Sequence, residues 1–111
     1  MDAEAHDRLF AFVSHLPQLV VSAMMEAVGA HAGQEGLALA GAGLRDSTRL
    51  AASPPGIWRD VAHTNHQQIV RAVDAFVEIL LRLRDDTTGD QLQATFTSAA
   101  RWKRALGDRP I

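Results

Sequence analysis

Two long stretches of this chain place apolar residues at three- and four-residue steps, and nowhere do apolar and polar residues alternate over six positions. That spacing is helical, and it leaves little room for strands. In the first stretch Leu9, Phe12, Val13, Leu16, Leu19, Val20, Met24 and Val28 mark one face, and Phe10, Val21 and Met25 a second. The second is expected to run from about Pro55 to Asp85, with Val61, Ile69, Val73, Phe76, Leu80 and Leu83 on one face. Val70, Val77, Ile79 and Leu81 widen it. The expected fold class is therefore all-α, two long helices plus shorter ones. A helix of roughly 30 residues is about 45 Å long, whereas a compact globule of this size is about 34 Å across. Two helices of that length, apolar on more than one stripe, overshoot a monomer's core, so an intertwined helical homodimer is predicted.

Punctuation residues divide the rest. Gly29 and Gly33 mark the end of the first helix, and the Gly- and Ala-rich stretch 31–43 reads as a turn region or a short irregular helix. Asp46 is placed to cap a short helix over 47–52. Ser53 is expected as an N-cap, with Pro54 at the first helical position. Thr88-Gly89-Asp90-Gln91 matches a capping box. The final helix carries Leu92, Phe96, Ala99 and Leu106 and ends in Arg101, Lys103 and Arg104, cations at the favourable end of the dipole.

Composition narrows function mainly by exclusion. The 111 residues are enough for one domain, and 47% are hydrophobic, enough for a core. Eleven Lys and Arg stand against thirteen Asp and Glu, so no basic footprint for nucleic acid is present. Cysteine is absent, which removes disulfides and thiolate metal sites and fits a reducing, cytoplasmic setting. No uninterrupted apolar run approaches the ~20 residues of a membrane span, and the acidic start Met1-Asp2-Ala3-Glu4 is no secretory signal. Membrane and nucleic-acid partners are therefore not expected. His63 and His66 are spaced as a ligand pair but sit among Asn65, Gln67 and Gln68, a pattern better suited to a solvated face, and no metal is expected. No nucleophile elbow or phosphate loop occurs. Gly41-Ala42-Gly43 lacks the third glycine and the preceding strand of a dinucleotide turn, so no cofactor is expected on this chain.

Two clusters remain. Ser14-His15-Leu16-Pro17-Gln18 lies inside the first helix. Pro17 has no N–H to donate, and its ring crowds the Val13 carbonyl, at a cost of about 3 kcal/mol. The pentad is either a packing kink with an incidental histidine or a shaped site. Arg45 and Arg49 lie four apart with Asp46 between, spaced either for a carboxylate-binding fork or for a surface ion pair.

Ser14-His15-Leu16-Pro17, then 40–51 (Ala40-Gly41-Ala42-Gly43-Leu44-Arg45-Asp46-Ser47-Thr48-Arg49-Leu50-Ala51), then Ser53-Pro54, Trp58 and Asn65 occur in an order that resembles the C-terminal helical domain of prephenate/arogenate dehydrogenase. The resemblance spans roughly residues 4–106. It implies a dimerisation domain related to that of 6-phosphogluconate dehydrogenase, with residues 1–111 as a single helical dimerisation and substrate-binding domain. The Rossmann domain, with its dinucleotide glycines and catalytic histidine, is absent from this chain and would be joined in cis or supplied as a separate chain. NAD or NADP would serve the full-length enzyme, and this fragment alone would bind neither and be inactive. The substrate would be prephenate or arogenate. The resemblance implies that Arg49 holds the ring carboxylate and that Asp46 orients that arginine or a neighbouring loop. Arg45 would join an ionic network at the mouth, with His15 and Ser14 facing the pocket and Trp58 approaching from the other subunit. Many prephenate-using members carry, where this chain has Gln18, a histidine near the substrate side chain; glutamine donates and accepts but cannot become cationic, which shifts the expectation toward arogenate or mixed specificity. The competing expectation is a stand-alone helical interaction module without catalytic duty.

Overall fold

A computed structural model describes residues 1–108. The chain divides into two compact units, the first Met1–Val73 and the second from Asp74 onward. All regular elements among the described residues are helical: α1 (Ala3–Phe10), a π turn (Ala11–His15), α2 (Leu16–Ala38), α3 (Ala42–Ser47), a 3-10 turn (Arg49–Ala52), α4 (Pro55–Thr64), α5 (His66–Asp85) and α6 (Asp90–Leu106).

The first unit begins with Asp2, whose carboxylate accepts from the Ala5 amide at 2.7 Å and caps α1. The strain expected at Pro17 is absorbed just before it. Over Ala11–His15 the helix widens, and the Leu16 amide donates to the Ala11 carbonyl, five residues back. A π turn inserts one residue, so faces on its two sides are offset by about 100°. That offset explains why the single continuous stripe read from the sequence does not hold. Ala11 and Gln18 are buried, whereas Phe12 and Val13 are exposed. Gly33 adopts φ 62° and ψ −165° and breaks the direction of α2. Only glycine enters that region without strain. The helical hydrogen-bond path nevertheless continues to Ala38, five residues past the expected end.

Three local expectations in this unit are corrected. Asp46 lies within α3 and caps nothing; the helix is 42–47, and Thr48 (φ −104°, ψ 11°) separates it from the 3-10 turn. The Ser47 and Thr48 hydroxyls both return to the Leu44 carbonyl, closing α3 by local side-chain bonding. Pro54, not Ser53, is the residue before α4, with Pro55 in its first turn. The single helix expected over 55–85 is two, because Asn65 (φ −117°, ψ 34°) interrupts it. The Asn65 side-chain amide donates to the Asp7 carbonyl at 2.9 Å, which rewards the break by tying the junction to α1.

The core of this unit is small. Ala11, Ile69 and Ala72 are buried, with Leu16, Leu19, Val61, Ala62 and Val73 packed on them. The second unit is a helical pair, the end of α5 followed by α6. Thr88 does not cap α6. Gly89 precedes the helix, and the Asp86 carboxylate accepts from the Gln91 amide at 2.9 Å instead. A Cβ on Gly89 would collide with that carboxylate, so the glycine makes room for the cap.

Apolar side chains are left uncovered in both units. Phe10, Phe12, Val13 and Leu39 stand out in the first, and Val77, Leu80, Phe96, Trp102 and Leu106 in the second. Ala3–Ala38 is also long and apolar enough, by length and composition, to cross a membrane. The sequence reading missed this because it sought an uninterrupted run. Valine, leucine, methionine and alanine sustain the average across Ser14, His15 and Gln18.

Candidate functional site

The π turn and the first turn of α2 carry three of the residues singled out from the sequence. Ser14 and His15 lie on the widened turn, both partly buried. His15 Nδ1 is buried and has no hydrogen-bond partner among the described residues. Its ring meets Trp58 edge-on at 6.2 Å between centroids, with planes at 76°. The contact lies within one chain, whereas the resemblance had implied that Trp58 approaches from the partner. His15 also lines a cleft of roughly 330 Å3 with His6, Asp7, Phe10, Asp60 and Asn65. His6 and Phe10, one helical turn apart, stack at 4.3 Å between centroids.

Gln18 is the most enclosed polar residue described, 5% exposed. Its Nε2 donates to the Leu50 carbonyl at 2.6 Å and to Ser22 Oγ at 3.2 Å. Its Oε1 accepts from Ser53 Oγ at 3.3 Å. The amide orientation follows from chemistry, since a carbonyl can only accept and the group facing Leu50 must be the NH2. Ser53, expected to cap α4, thus bridges Gln18 and Leu50, its single hydroxyl hydrogen shared between Gln18 Oε1 and the Leu50 carbonyl 3.0 Å away.

Arg49 opens the 3-10 turn whose next residue Gln18 holds. Arg45, Asp46 and Arg49 are all exposed. No ion pair joins them among the described residues, so Asp46 does not orient either guanidinium in this structure. The break at Thr48 also removes the common helical face expected for Arg45 and Arg49. None of the residues around the His15 cleft is Arg49. The structure therefore joins Gln18 to the Arg49 segment and His15 to Trp58, but does not gather all seven candidates around one cavity.

His63 lies in the last turn of α4 and His66 opens α5, on either side of Asn65, so they do not share one uninterrupted helical face. Among the described residues no three His, Cys, Asp or Glu side chains converge as a metal site. Gly41 precedes a six-residue helix, but what comes before it is the end of α2, not a strand.

Ser22, Ser53, His6 and Asp7 were not anticipated. Ser22 lies one turn beyond Gln18, a spacing that could have suggested the pair. The Ser53 and Asn65 contacts span 35 and 58 residues and leave no local trace.

A kinked helix and a pinned turn in an all-helical chain define the class, a small helical domain, and the comparisons identify its family. Residues 2–97 match the model of the prephenate dehydrogenase dimerization domain, and the chain belongs to that family. It is 30% identical over 112 residues to a cyclohexadienyl dehydrogenase of Zymomonas mobilis, covering 96% of this chain and 38% of that protein. It is 30% identical over 88 residues to a prephenate dehydrogenase of Bacillus subtilis, covering 76% of this chain and 23% of that protein. The solved prephenate dehydrogenase of A. aeolicus, in complex with hydroxyphenyl propionate and NAD+, superposes with a TM-score of 0.83 at 28% identity. That match covers 96% of this chain and 39% of the other. The chain thus spans less than two-fifths of the length of these relatives.

Proposed function

We propose that this chain forms the dimerisation surface and one substrate wall of an NAD(P)-dependent prephenate or arogenate dehydrogenase, working in the cytoplasm with a nucleotide-binding domain. The observation that carries the site reading is Arg49: exposed, unpaired among the described residues, and seated on a turn pinned by the buried Gln18. A guanidinium offers a planar fork matched to a carboxylate and stays charged at any working pH. In the proposed reaction the ring carbon bearing the hydroxyl gives up hydride, the ring carboxylate leaves as CO2, and its bonding electrons complete the aromatic ring. The hydride acceptor would be held by the nucleotide-binding domain.

Arg49 would grip the carboxylate that departs. Its hold is greatest on the bound substrate and weakens as negative charge moves into the ring. An interaction of that kind acts through binding more than through turnover. His15 and Trp58 would form an adjoining apolar and polar wall, and Ser14, Arg45 and Asp46 the polar rim. The family's dimerisation role extends to a homodimer of this chain, with the uncovered apolar faces as the contact.

Titration of the chain with prephenate and with arogenate, followed by backbone amide NMR shifts, tests the reading. Saturable shifts around 14–18 and 49–58, lost in Arg49→Ala, are expected. Shifts that Arg49→Ala leaves unchanged would remove the anchor, and no shifts with either compound would remove the substrate wall.

A further inference from the structure

We infer that Gln18 is a positioning residue that holds the Arg49 turn, and that it does not read the substrate side chain. The inference rests on the proposed role of Arg49 as carboxylate anchor. Three side-chain hydrogen bonds among the described residues join positions more than thirty apart, and Gln18 makes two of them. Both of its amide hydrogens are already committed, one to Leu50 and one to Ser22. To donate to a ligand it would have to release one of them. The 2.6 Å bond to Leu50 is the worse one to release, because it is the direct tie from α2 to the backbone of the turn, whereas Ser22 lies on α2 itself. Only a lone pair on Oε1 remains free, and an acceptor cannot attract the keto-acid carboxylate of prephenate.

The geometry also says what the clamp controls. The Leu50 carbonyl receives Gln18 Nε2, Ser53 Oγ at 3.0 Å and the Ser53 amide at 3.2 Å. One backbone oxygen thus gathers α2 and the end of the 3-10 turn at the residue after Arg49. Core packing gives this segment little other support, since no residue of the turn is buried. A long, exposed arginine on an unsupported four-residue turn would sample many positions. Fixing its backbone reduces the ordering that substrate binding must impose.

The test is a double-mutant cycle read with two ligands. Gln18→Leu keeps the volume and removes the clamp; Gln18→Glu keeps an acceptor but sets a carboxylate against the Leu50 carbonyl. Prephenate and arogenate affinities are measured by amide NMR titration of each variant, alone and combined with Arg49→Ala, and amide hydrogen exchange is followed at 49–53. Both single variants are expected to speed exchange at 49–53 and to weaken both ligands by a similar factor, of order tenfold. Neither should weaken them further when Arg49 is already alanine. A Gln18 variant that changes the prephenate-to-arogenate ratio, or that still weakens binding in the Arg49→Ala background, overturns the inference. Unchanged exchange at 49–53 overturns it as well. If Gln18→Leu fails to fold, Ser53→Ala carries the same exchange and affinity readouts with a smaller shift. Absence of binding by the unsubstituted chain refutes the substrate wall and this role with it, while the exchange data separately report whether the clamp exists.

Discussion

Trp102 is the strongest single handle on self-association. It lies near the end of α6, 68% exposed, beside a cleft of roughly 370 Å3 lined also by Ile79, Arg82, Thr95, Ser98 and Ala99. A tryptophan presents up to about 250 Å2, so about 170 Å2 of this one awaits cover. At about 25 cal/mol per Å2 that amounts to about 4 kcal/mol per chain. In a two-fold dimer the contact occurs twice, so even half-coverage is worth about 4 kcal/mol in total, roughly a thousandfold in Kd. Trp102→Ala should therefore shift the monomer–dimer midpoint by about three decades in sedimentation equilibrium or light scattering over a concentration series. Its helical circular dichroism should be unchanged, because the side chain contributes little to the monomer. A midpoint that moves less than threefold would refute the reasoning, and the uncovered surface of α6 would then have to face another partner.

Arg49→Ala should weaken ligand binding about 10- to 100-fold, the worth of a charge-assisted hydrogen bond, with Arg49→Lys recovering only part because an ammonium lacks the fork. The paired ligand titrations decide it. Gly89→Ala should displace the Asp86 carboxylate from the Gln91 amide and cost about 1 kcal/mol, seen as a lower midpoint in urea and matched by Asp86→Ala. Pro17→Ala returns a backbone donor to the helix, so the π turn should relax toward α geometry. The expected result is a gain in stability of up to about 3 kcal/mol together with weaker ligand binding, and a stable variant with unaltered binding would show that the π turn serves packing alone.

Helix type was legible because it depends on spacing, and spacing is local. The all-α class, the Gly33 break and the extent of α6 all follow from residues within a turn or two of each other. Caps were less legible. Thr88 and Ser53 each had the right chemistry at the right position, yet Asp86 caps α6 and Ser53 turns toward Gln18. A cap is a competition among nearby oxygens, and tertiary contacts decide it. The helix break at Asn65 was invisible for the same reason: its side chain bonds to Asp7, 58 residues earlier. The candidate site residues were picked out by resemblance. What the structure adds is connectivity, with Gln18 tied to the turn beside Arg49, His15 to Trp58, and neither Arg45 nor Asp46 paired with Arg49.

The thin core explains why those polar ties matter. With only Ala11, Ile69 and Ala72 buried as apolar residues among those described, little hydrophobic burial dictates where the 40–54 segment lies. Polar bonds then carry specificity that packing would supply in a larger core. A glutamine with both amide hydrogens satisfied admits one arrangement of Leu50 and Ser53, whereas an apolar side chain in its place would tolerate several. The same thinness leaves wide apolar faces available to another copy of the chain. One sequence economy thus yields two properties: residues spared from the chain's own core can build the intersubunit contact, and a few buried hydrogen bonds keep the Arg49 turn in register on a scaffold that completes itself on association.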